Sequence, residues 1–407
     1  VCKMMRKLRK RIGLMALVLA GAMGTACACT SAIISGKVTP DGRPIMWKNR
    51  DTGNLENCVR YMKGEKYGFI AITSYDDNPK SVWMGTNDTG FAIMNTLSYN
   101  LNEDEGEGSS VRNGSVMKRA LEICATVADF RHYLDTLSRP MNVRTNYGVI
   151  DTQGNGSYFE VNSTSYVEYD VNDQQVAPHG FIVRSNYSFS GQLNEGAGYV
   201  RYQEAQEKLF TASASGEITP RWLFSNLSRS FHNPLLGIDL KDGKHNKPET
   251  SGWFVEQDFI ARQKTSCAVV IQGVRPGEDA SFTTMWTVIG YPPVTPAVPV
   301  WLKGAEKKLP KALTLDENKH VPLCDASNVL REKIYSYHRG TNTENYFHWE
   351  LLFNRSGNGY MQQTERLEEE LFDRFYSAIE TWRSESVIPE KLIFKLYDDC
   401  DAFLDKK

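Results

Sequence analysis

The chain opens on a segment with the pattern of one that is removed, and the residue it would expose constrains everything after it. Lys3, Arg6, Lys7, Arg9, Lys10 and Arg11 form a basic run, residues 12–23 are apolar, and Ala26-Cys27-Ala28 follows. This is the order of a secretory signal ending in a small-x-small cleavage site. The apolar run is too short for a membrane span, which takes about 20 residues. A cut after Ala28 makes Cys29 the first residue of an exported chain, periplasmic or secreted. Cys29 then carries a nucleophile and a base together, its thiol and its own α-amine. A free thiol titrates near ~8.5 and an α-amine at about 7.7–8.0, close to the pH at which a general base works best.

The next residues give that cysteine a setting. Residues 31–38 and 43–48 read as strands, and Pro40-Asp41-Gly42 between them is a hairpin turn signal. Asp51 follows the second strand, so the hairpin returns it to the neighbourhood of residue 29, where a carboxylate can hold the amine. Two plainer readings stand beside this one. Asp51 is also a turn aspartate in Asn49-Arg50-Asp51-Thr52-Gly53. Gly24-Thr25-Ala26-Cys27 resembles a lipoprotein attachment site, which would lipidate Cys27 and leave Cys29 internal. It lacks the bulky aliphatic residue three places before the cysteine.

Composition removes several function classes. Of 47 basic and 49 acidic residues, six basic and no acidic ones fall in residues 1–28, so the remainder is acidic and a nucleic-acid partner is disfavoured. Cys29, Cys58, Cys124, Cys267, Cys324 and Cys400 are scattered without a CxxC, which argues against a zinc site or a dense disulfide framework. One or two bridges are compatible with export. The seven histidines show no metal-ligand spacing, and nothing local supports a dyad of Cys29 with His179. No GxSxG, HExxH or Walker motif occurs, and neither a cofactor nor a metal is expected.

Further along, residues 67–73, 81–86 and 91–97 read as strands, and 100–114 as a Gly- and Ser-rich loop. Two helices follow, the first capped by Ser115 and the second by Thr126 with Asp129, ending at Leu137. Strands are expected at 147–151, 157–161, 166–171, 181–184, 267–273 and 283–289, and helices at 199–211, 221–231, 325–339, 345–354 and 362–383. The Pro-rich run 291–300 reads as a linker or clamp. In the last helix Leu367, Leu371, Phe375, Ile379 and Trp382 form one packing face. Strands and helices in alternating blocks favour stacked layers of sheet and helix.

Several stretches share a pattern: Cys29-Thr30-Ser31, Asp41-Gly42, Asn49-Arg50-Asp51, Gly85-Thr86-Asn87-Asp88-Thr89-Gly90-Phe91 with Asn95-Thr96-Leu97, Thr145-Asn146-Tyr147-Gly148, Arg184-Ser185-Asn186-Tyr187 and Tyr199-Val200-Arg201-Tyr202. Together they resemble the cysteine N-terminal-nucleophile hydrolases. That group includes the choloylglycine hydrolases and penicillin V acylases, acid ceramidase and acyl-CoA:6-aminopenicillanic acid acyltransferase. The resemblance runs from Cys29 to Pro299 and is nearest in flavour to the acyltransferase-like branch. It implies an α+β fold, a four-layer αββα sandwich over residues 29–300; residues 301–407 lie outside the resemblance and read from their pattern as a mostly helical C-terminal extension packed on it. It implies Cys29 as nucleophile and base, Asp51 as holder of the amine, Asn146 and Asn95 as oxyanion donors, and Arg201 as electrostatic support. By themselves, Asn146 reads as a strand-edge or turn asparagine and Arg201 as a helix-surface cation.

One position departs from the pattern. Bile-salt hydrolases and acid ceramidase place arginine three residues before the aspartate, where this chain has Lys48, with Arg50 close by. Lysine cannot form the bidentate fork of arginine, which puts a bile-salt or ceramide substrate in doubt and marks Lys48 and Arg50 as candidate substrate-binding residues. Trp83, Tyr99, Trp253 and Trp286 are candidates for an apolar acyl pocket, or core.

The expected activity is cleavage of linear amide bonds in a small-molecule substrate through an acyl-enzyme on Cys29, with acyltransfer where an amine replaces water. Substrates in range are N-acyl amines, N-acyl amino acids and bile-acid or penicillin-type amides. An N-terminal-cysteine dipeptidase and a non-catalytic surface lipoprotein or binding module are the alternatives. A homo-oligomer stays open.

Overall fold

The computed structural model describes residues 28–76, 79–101, 112–337 and 346–405. The processing segment and its lipoprotein alternative therefore lie outside the described residues, as does most of the loop expected at 100–114. Cys29-Thr-Ser-Ala-Ile-Ile forms strand β1 (Cys29–Ile34), and all six of its residues are buried. A strand covered on both faces is a central strand. It pairs antiparallel with β2 (Ile45–Asp51) and, on its other edge, with β10 (Phe181–Arg184). The strand starts two residues before the sequence predicts because Cys29 stands opposite Arg50 and the Asp51 N–H donates to Ala28 O at 2.7 Å.

Two large antiparallel sheets hold most of the strands, and two short two-stranded ones lie apart from them. β3 (Asn57–Lys63), β4 (Gly68–Ser74), β5 (Met84–Asn87), β6 (Ala92–Leu97), β7 (Thr145–Ile150), β8 (Gly156–Val161) and β9 (Tyr166–Asp170) form a seven-stranded meander. β11 (Thr265–Gln272), β12 (Thr284–Ile289) and β13 (Val298–Val300) complete a six-stranded sheet in the order β10-β1-β2-β11-β12-β13. Alternation along the meander gives it two apolar faces. Phe69, Ala71, Ile93, Tyr147, Val149, Phe159 and Val161 pack with helices α1 (Asn113–Ile123) and α2 (Val127–Thr136). Ile70, Ile72, Ala92, Met94 and Tyr158 pack instead into the core shared with β1 and β2.

That shared core closes tightly where glycine lets it. A Cβ on Gly156 would come 2.9 Å from Ile33 Cγ2, and one on Gly148 3.2 Å from Ile33 Cδ1. The Ser31 and Tyr158 hydroxyls meet across the same interface at 2.8 Å. Helix α3 (Tyr199–Ser215) packs Ala205, Leu209 and Ala212 on the core that includes the six-stranded sheet.

The C-terminal helices are α4 (Pro322–Ile334), α5 (Tyr360–Glu385) and α6 (Glu390–Leu404). On α5 the expected face is present, and Leu371, Phe375, Ile379 and Trp382 are buried in the core with Trp286. No helix among the described residues is long and apolar enough to cross a membrane.

One buried ion pair ties α5 to the rest of the chain. Glu368 receives Arg229 Nη1 and Nη2, each at 2.7 Å, and also the Ala297 N–H at 2.7 Å. Removing one partner of such a pair leaves a buried charge and costs about 3–5 kcal/mol. Glu368→Ala is therefore expected to lower the unfolding free energy by about that much, read by chemical denaturation.

The structure departs from the sequence reading at several elements. The run 291–300 is not a linker: a 3-10 turn (Pro292–Val294) leads into β13, an edge strand where Pro299 costs little because the missing N–H faces no partner strand. The helix expected at 345–354 is reduced to Trp349–Leu352, because the aromatic residues Tyr346–His348 pair as a strand with Trp253–Val255. Helix α1 begins at Asn113 without a side-chain cap, and Ser115 Oγ donates back to Arg112 O. The capping box of Thr126 and Asp129 on α2 is present. No two cysteines among the described residues are bridged.

Candidate active site

β10, β1 and β2 bring residues from far apart in sequence to the first residue of β1. Cys29 N donates to Asn186 Oδ1 at 2.8 Å, two residues past the end of β10. Arg201, in the first turn of α3, donates from Nη1 to Cys29 O at 2.7 Å and to Thr30 Oγ1 at 2.8 Å, and from Nη2 to Asn186 Oδ1 at 3.0 Å. Gly198 supplies the left-handed turn before that helix, with φ +78°, and a Cβ there would strike the Arg201 guanidinium at 2.3 Å. Asn186 Nδ2 donates to Leu97 O at 2.8 Å, and its own carbonyl accepts Tyr99 N at 3.1 Å. One asparagine thus touches the nucleophile candidate, the arginine and the end of β6.

Asp51 ends β2 beside this cluster. Its Oδ1 accepts Thr265 Oγ1 and its Oδ2 accepts Arg262 Nε, both at 2.7 Å. Arg262 Nη1 continues to Asp258 Oδ1 at 2.6 Å, and the same oxygen takes Arg201 Nε at 2.9 Å. Asp51, Arg262, Asp258 and Arg201 therefore form a chain of alternating charge that ends on the Cys29 carbonyl. Asp258 adopts φ +54°, a left-handed conformation uncommon for a residue other than glycine. Charge-assisted bonds of this kind are roughly twice as strong as neutral ones and hold the strained backbone in place.

The same loop carries Glu256, which accepts Gln263 N at 2.7 Å. Burial pushes its carboxyl up to about 7, and Asp51 and Asp258 add to the rise, against the pull of the Gln263 N–H and Arg262. Between the ordinary glutamate value of about 4.3 and about 7, the folded protein holds a proton that the unfolded chain releases. Stability contributed by this group is present below the unfolded value and is lost as pH rises through that window. Glu256→Gln is expected to flatten the decline, so that the Tm of the variant exceeds that of the wild type at about pH 8 but not at about pH 4.

The remaining candidates divide. Lys48 Nζ donates to Asn95 Oδ1 at 3.2 Å and to Trp83 O at 3.1 Å, and Asn95 Nδ2 donates to Thr145 Oγ1 at 3.0 Å. Arg50 stands opposite Cys29 with its guanidinium 4.3 Å from the centre of the Trp83 ring. Asn146 gives its amide hydrogens to Thr96 Oγ1 at 3.0 Å and Tyr187 O at 3.1 Å, and its Oδ1 accepts Ser188 Oγ at 2.5 Å. It thereby fastens the segment after β10. Of the four aromatic candidates, Trp83 and Tyr99 touch this cluster. Trp286 is core, stacked on Phe372 at 4.4 Å, and Trp253 stacks on His348 at 4.5 Å. His179 precedes β10, beyond the Ile34 end of β1, so about 17 Å of strand separates it from Cys29.

Three of the other thiols are poor nucleophiles. Burial pushes Cys267 up to about 11, with Arg50 and Lys48 pulling the other way, and raises Cys124 and Cys400 to about 12. Sequence reasoning missed Asn186, Asp258 and Arg262 as site residues. Asn186 lay in a quoted stretch without an assigned role, and the other two lie in a loop without a motif.

No protein-family model matches the chain, and no curated protein matches its sequence. Solved structures do match. A conjugated bile acid hydrolase from Clostridium perfringens is 12% identical, covers 68% of this chain and 92% of its own, and gives a TM-score of 0.38. Penicillin V acylase from Agrobacterium tumefaciens is 12% identical over 68% of this chain and 86% of its own, with a TM-score of 0.36. The Caenorhabditis elegans ortholog of N-acylethanolamine-hydrolyzing acid amidase is 14% identical over 47% of this chain and 86% of its own, with a TM-score of 0.34.

Proposed function

We propose that the chain is a cysteine amidohydrolase of the N-terminal-nucleophile type. In this reading an exported precursor is cut after Ala28, residues 29–300 form a four-layer αββα catalytic domain, and 301–407 extend it. The observation that carries the proposal is the position of Cys29. It opens a central strand, with its nitrogen on Asn186 and its carbonyl on Arg201. A residue held by both backbone ends is fixed for attack, which is what orientation contributes to catalysis.

The chemistry follows from the groups present. The Cys29 thiol gives its proton to the α-amine, and the sulfur attacks the amide carbonyl of the substrate. The resulting oxyanion collapses as the C–N bond breaks, and the ammonium returns the proton to the leaving amine. Water then gives a proton to the α-amine and attacks the thioester, releasing the acid and restoring the thiol. An acceptor amine in place of water gives acyl transfer. Asn186 Oδ1 orients the α-amine, while the Asp51–Arg262–Asp258–Arg201 chain fixes the strand ends around it. Asn95 takes the oxyanion role that the family resemblance gives it. Asn146 acts through the 185–188 segment and is a positioning residue.

The substrates in range are N-acyl amines, N-acyl amino acids and bile-acid or penicillin-type amides. The test is release of free amine from a panel of such compounds by the purified mature chain. Release from at least one member supports the reading, and cleavage of dipeptides with none of the panel touched overturns it.

A further inference from the structure

The sheet face that carries the Cys29 thiol also carries a cation which the reaction above does not use. Arg50 is opposite Cys29 in the β1–β2 register and opposite Cys267 in the β2–β11 register. Directly opposed residues of antiparallel strands project to the same face, with Cβ atoms about 4.5–5.5 Å apart. The side chains of Arg50 and Cys29 therefore leave the sheet on one face, from directly opposed positions. Arg50 is 5% exposed. Its Nη1 donates to Asn57 Oδ1 at 2.8 Å and to Ser266 Oγ at 3.1 Å, and the Trp83 ring covers it at 4.3 Å. Asn57 is itself pinned, with Nδ2 on Leu55 O at 3.1 Å.

What Arg50 lacks is an anion. Among the described residues its Nε and Nη2 make no hydrogen bond, and no carboxylate pairs with it. The buried arginines Arg43, Arg184, Arg201 and Arg229 each have a carboxylate, on Glu278, Glu160, Asp258 and Glu368 respectively. Arg331 instead places Nη1 and Nη2 on the Gln263 and Thr265 carbonyls. A guanidinium kept buried on two neutral acceptors and an aromatic face is costly unless a counter-charge arrives. Its unused Nε–Nη2 edge is the fork that receives a carboxylate through two parallel bonds.

We propose that Arg50 receives a carboxylate of the substrate, which makes the substrate an N-acyl amino acid in preference to a neutral N-acyl amine. In that class the carboxylate lies only a nitrogen and one carbon beyond the scissile carbonyl, matching a cation on the residue opposite the nucleophile. The inference rests on Cys29 as the nucleophile proposed above.

The experiment compares kcat/KM for an N-acyl amino acid with that for its carboxamide, which has the same acyl chain and nearly the same shape without the charge. The wild type is expected to favour the carboxylate at least tenfold, roughly the worth of one charge-assisted pair. In Arg50→Gln this ratio falls to about one, with the loss in KM for the carboxylate. In Arg50→Lys part of it is retained, because the charge stays and the fork goes. Equal rates on both compounds in the wild type, or an unchanged ratio in Arg50→Gln, would overturn the proposal. Labelling with a neutral alkylating reagent separates the two levels: Cys29 labelled with no carboxylate preference sinks only the Arg50 assignment, and Cys29 unlabelled in the wild type sinks the nucleophile reading itself.

Discussion

Cys29→Ala is expected to reduce amide hydrolysis to background, a loss on the order of 10⁶-fold in kcat if the residue behaves as other catalytic nucleophiles do. The substitution is small and the position well supported, so folding is expected to survive it. All six residues of β1 are buried and laddered on β2, four of them on β10 as well, and the Cys29 backbone bonds to Asn186 and Arg201 do not involve the side chain. Cys29→Ser is the informative companion. A hydroxyl at the same place keeps the geometry but is far less acidic than a thiol, so the α-amine can no longer generate the attacking anion readily. Both variants are expected to keep the wild-type Tm within a few degrees while losing turnover. Substrate still bound by Cys29→Ala, measured by calorimetry, would show that the loss lies in chemistry.

Asn186 carries the second large expectation. Asn186→Leu removes the acceptor that holds the Cys29 nitrogen and one partner of Arg201. If that nitrogen is the general base, misplacing it forfeits about 10²–10⁴-fold in kcat. Asn186→Asp separates positioning from simple structural support. It restores an acceptor oxygen and adds a negative charge beside the amine, which raises the amine pKa. In the proposed mechanism the neutral amine is the working base, so the rise of kcat/KM with pH is expected to move to higher pH in Asn186→Asp. A residue of purely structural importance would change the amount of folded enzyme and leave the shape of that profile alone. Asn146 offers the contrast, since its bonds go to Thr96, Tyr187 and Ser188 and not to the nucleophile.

How far the sequence could be read follows from the range of the forces involved. The β1–β2 hairpin was legible because its turn is written locally: Gly42 adopts φ +72° and Asp41 Oδ1 accepts Arg43 N at 3.2 Å. The capping box on α2 and the buried stripe on α5 were legible for the same reason, as patterns of three or four residues. Strand β3 and helix α6 were not. Asn57–Lys63 carries two basic residues and little apolar alternation, and it is a strand because β4 pairs along its whole length. Asp258 and Arg262 carry no local signal, because their roles arise only when β11 places Thr265 opposite Asp51. Asn186 joins the site because β10 lies against β1, an adjacency between residues more than 150 apart in sequence. Arg201 could be named from the resemblance alone, and its contacts are with a backbone carbonyl, a threonine, an asparagine and an aspartate that no motif links to it.

The central claim is that Cys29 is both the first residue of the working chain and its nucleophile. Intact mass spectrometry of the mature exported protein, before and after reaction with a thiol-reactive acylating probe, tests it most directly. The account predicts a chain that begins at Cys29 and gains a single adduct, mapped to Cys29 and absent in Cys29→Ala, while the buried thiols of Cys124, Cys267 and Cys400 stay unmodified. A mature chain that begins at a lipid-modified Cys27, or an adduct that maps to another residue, would contradict it.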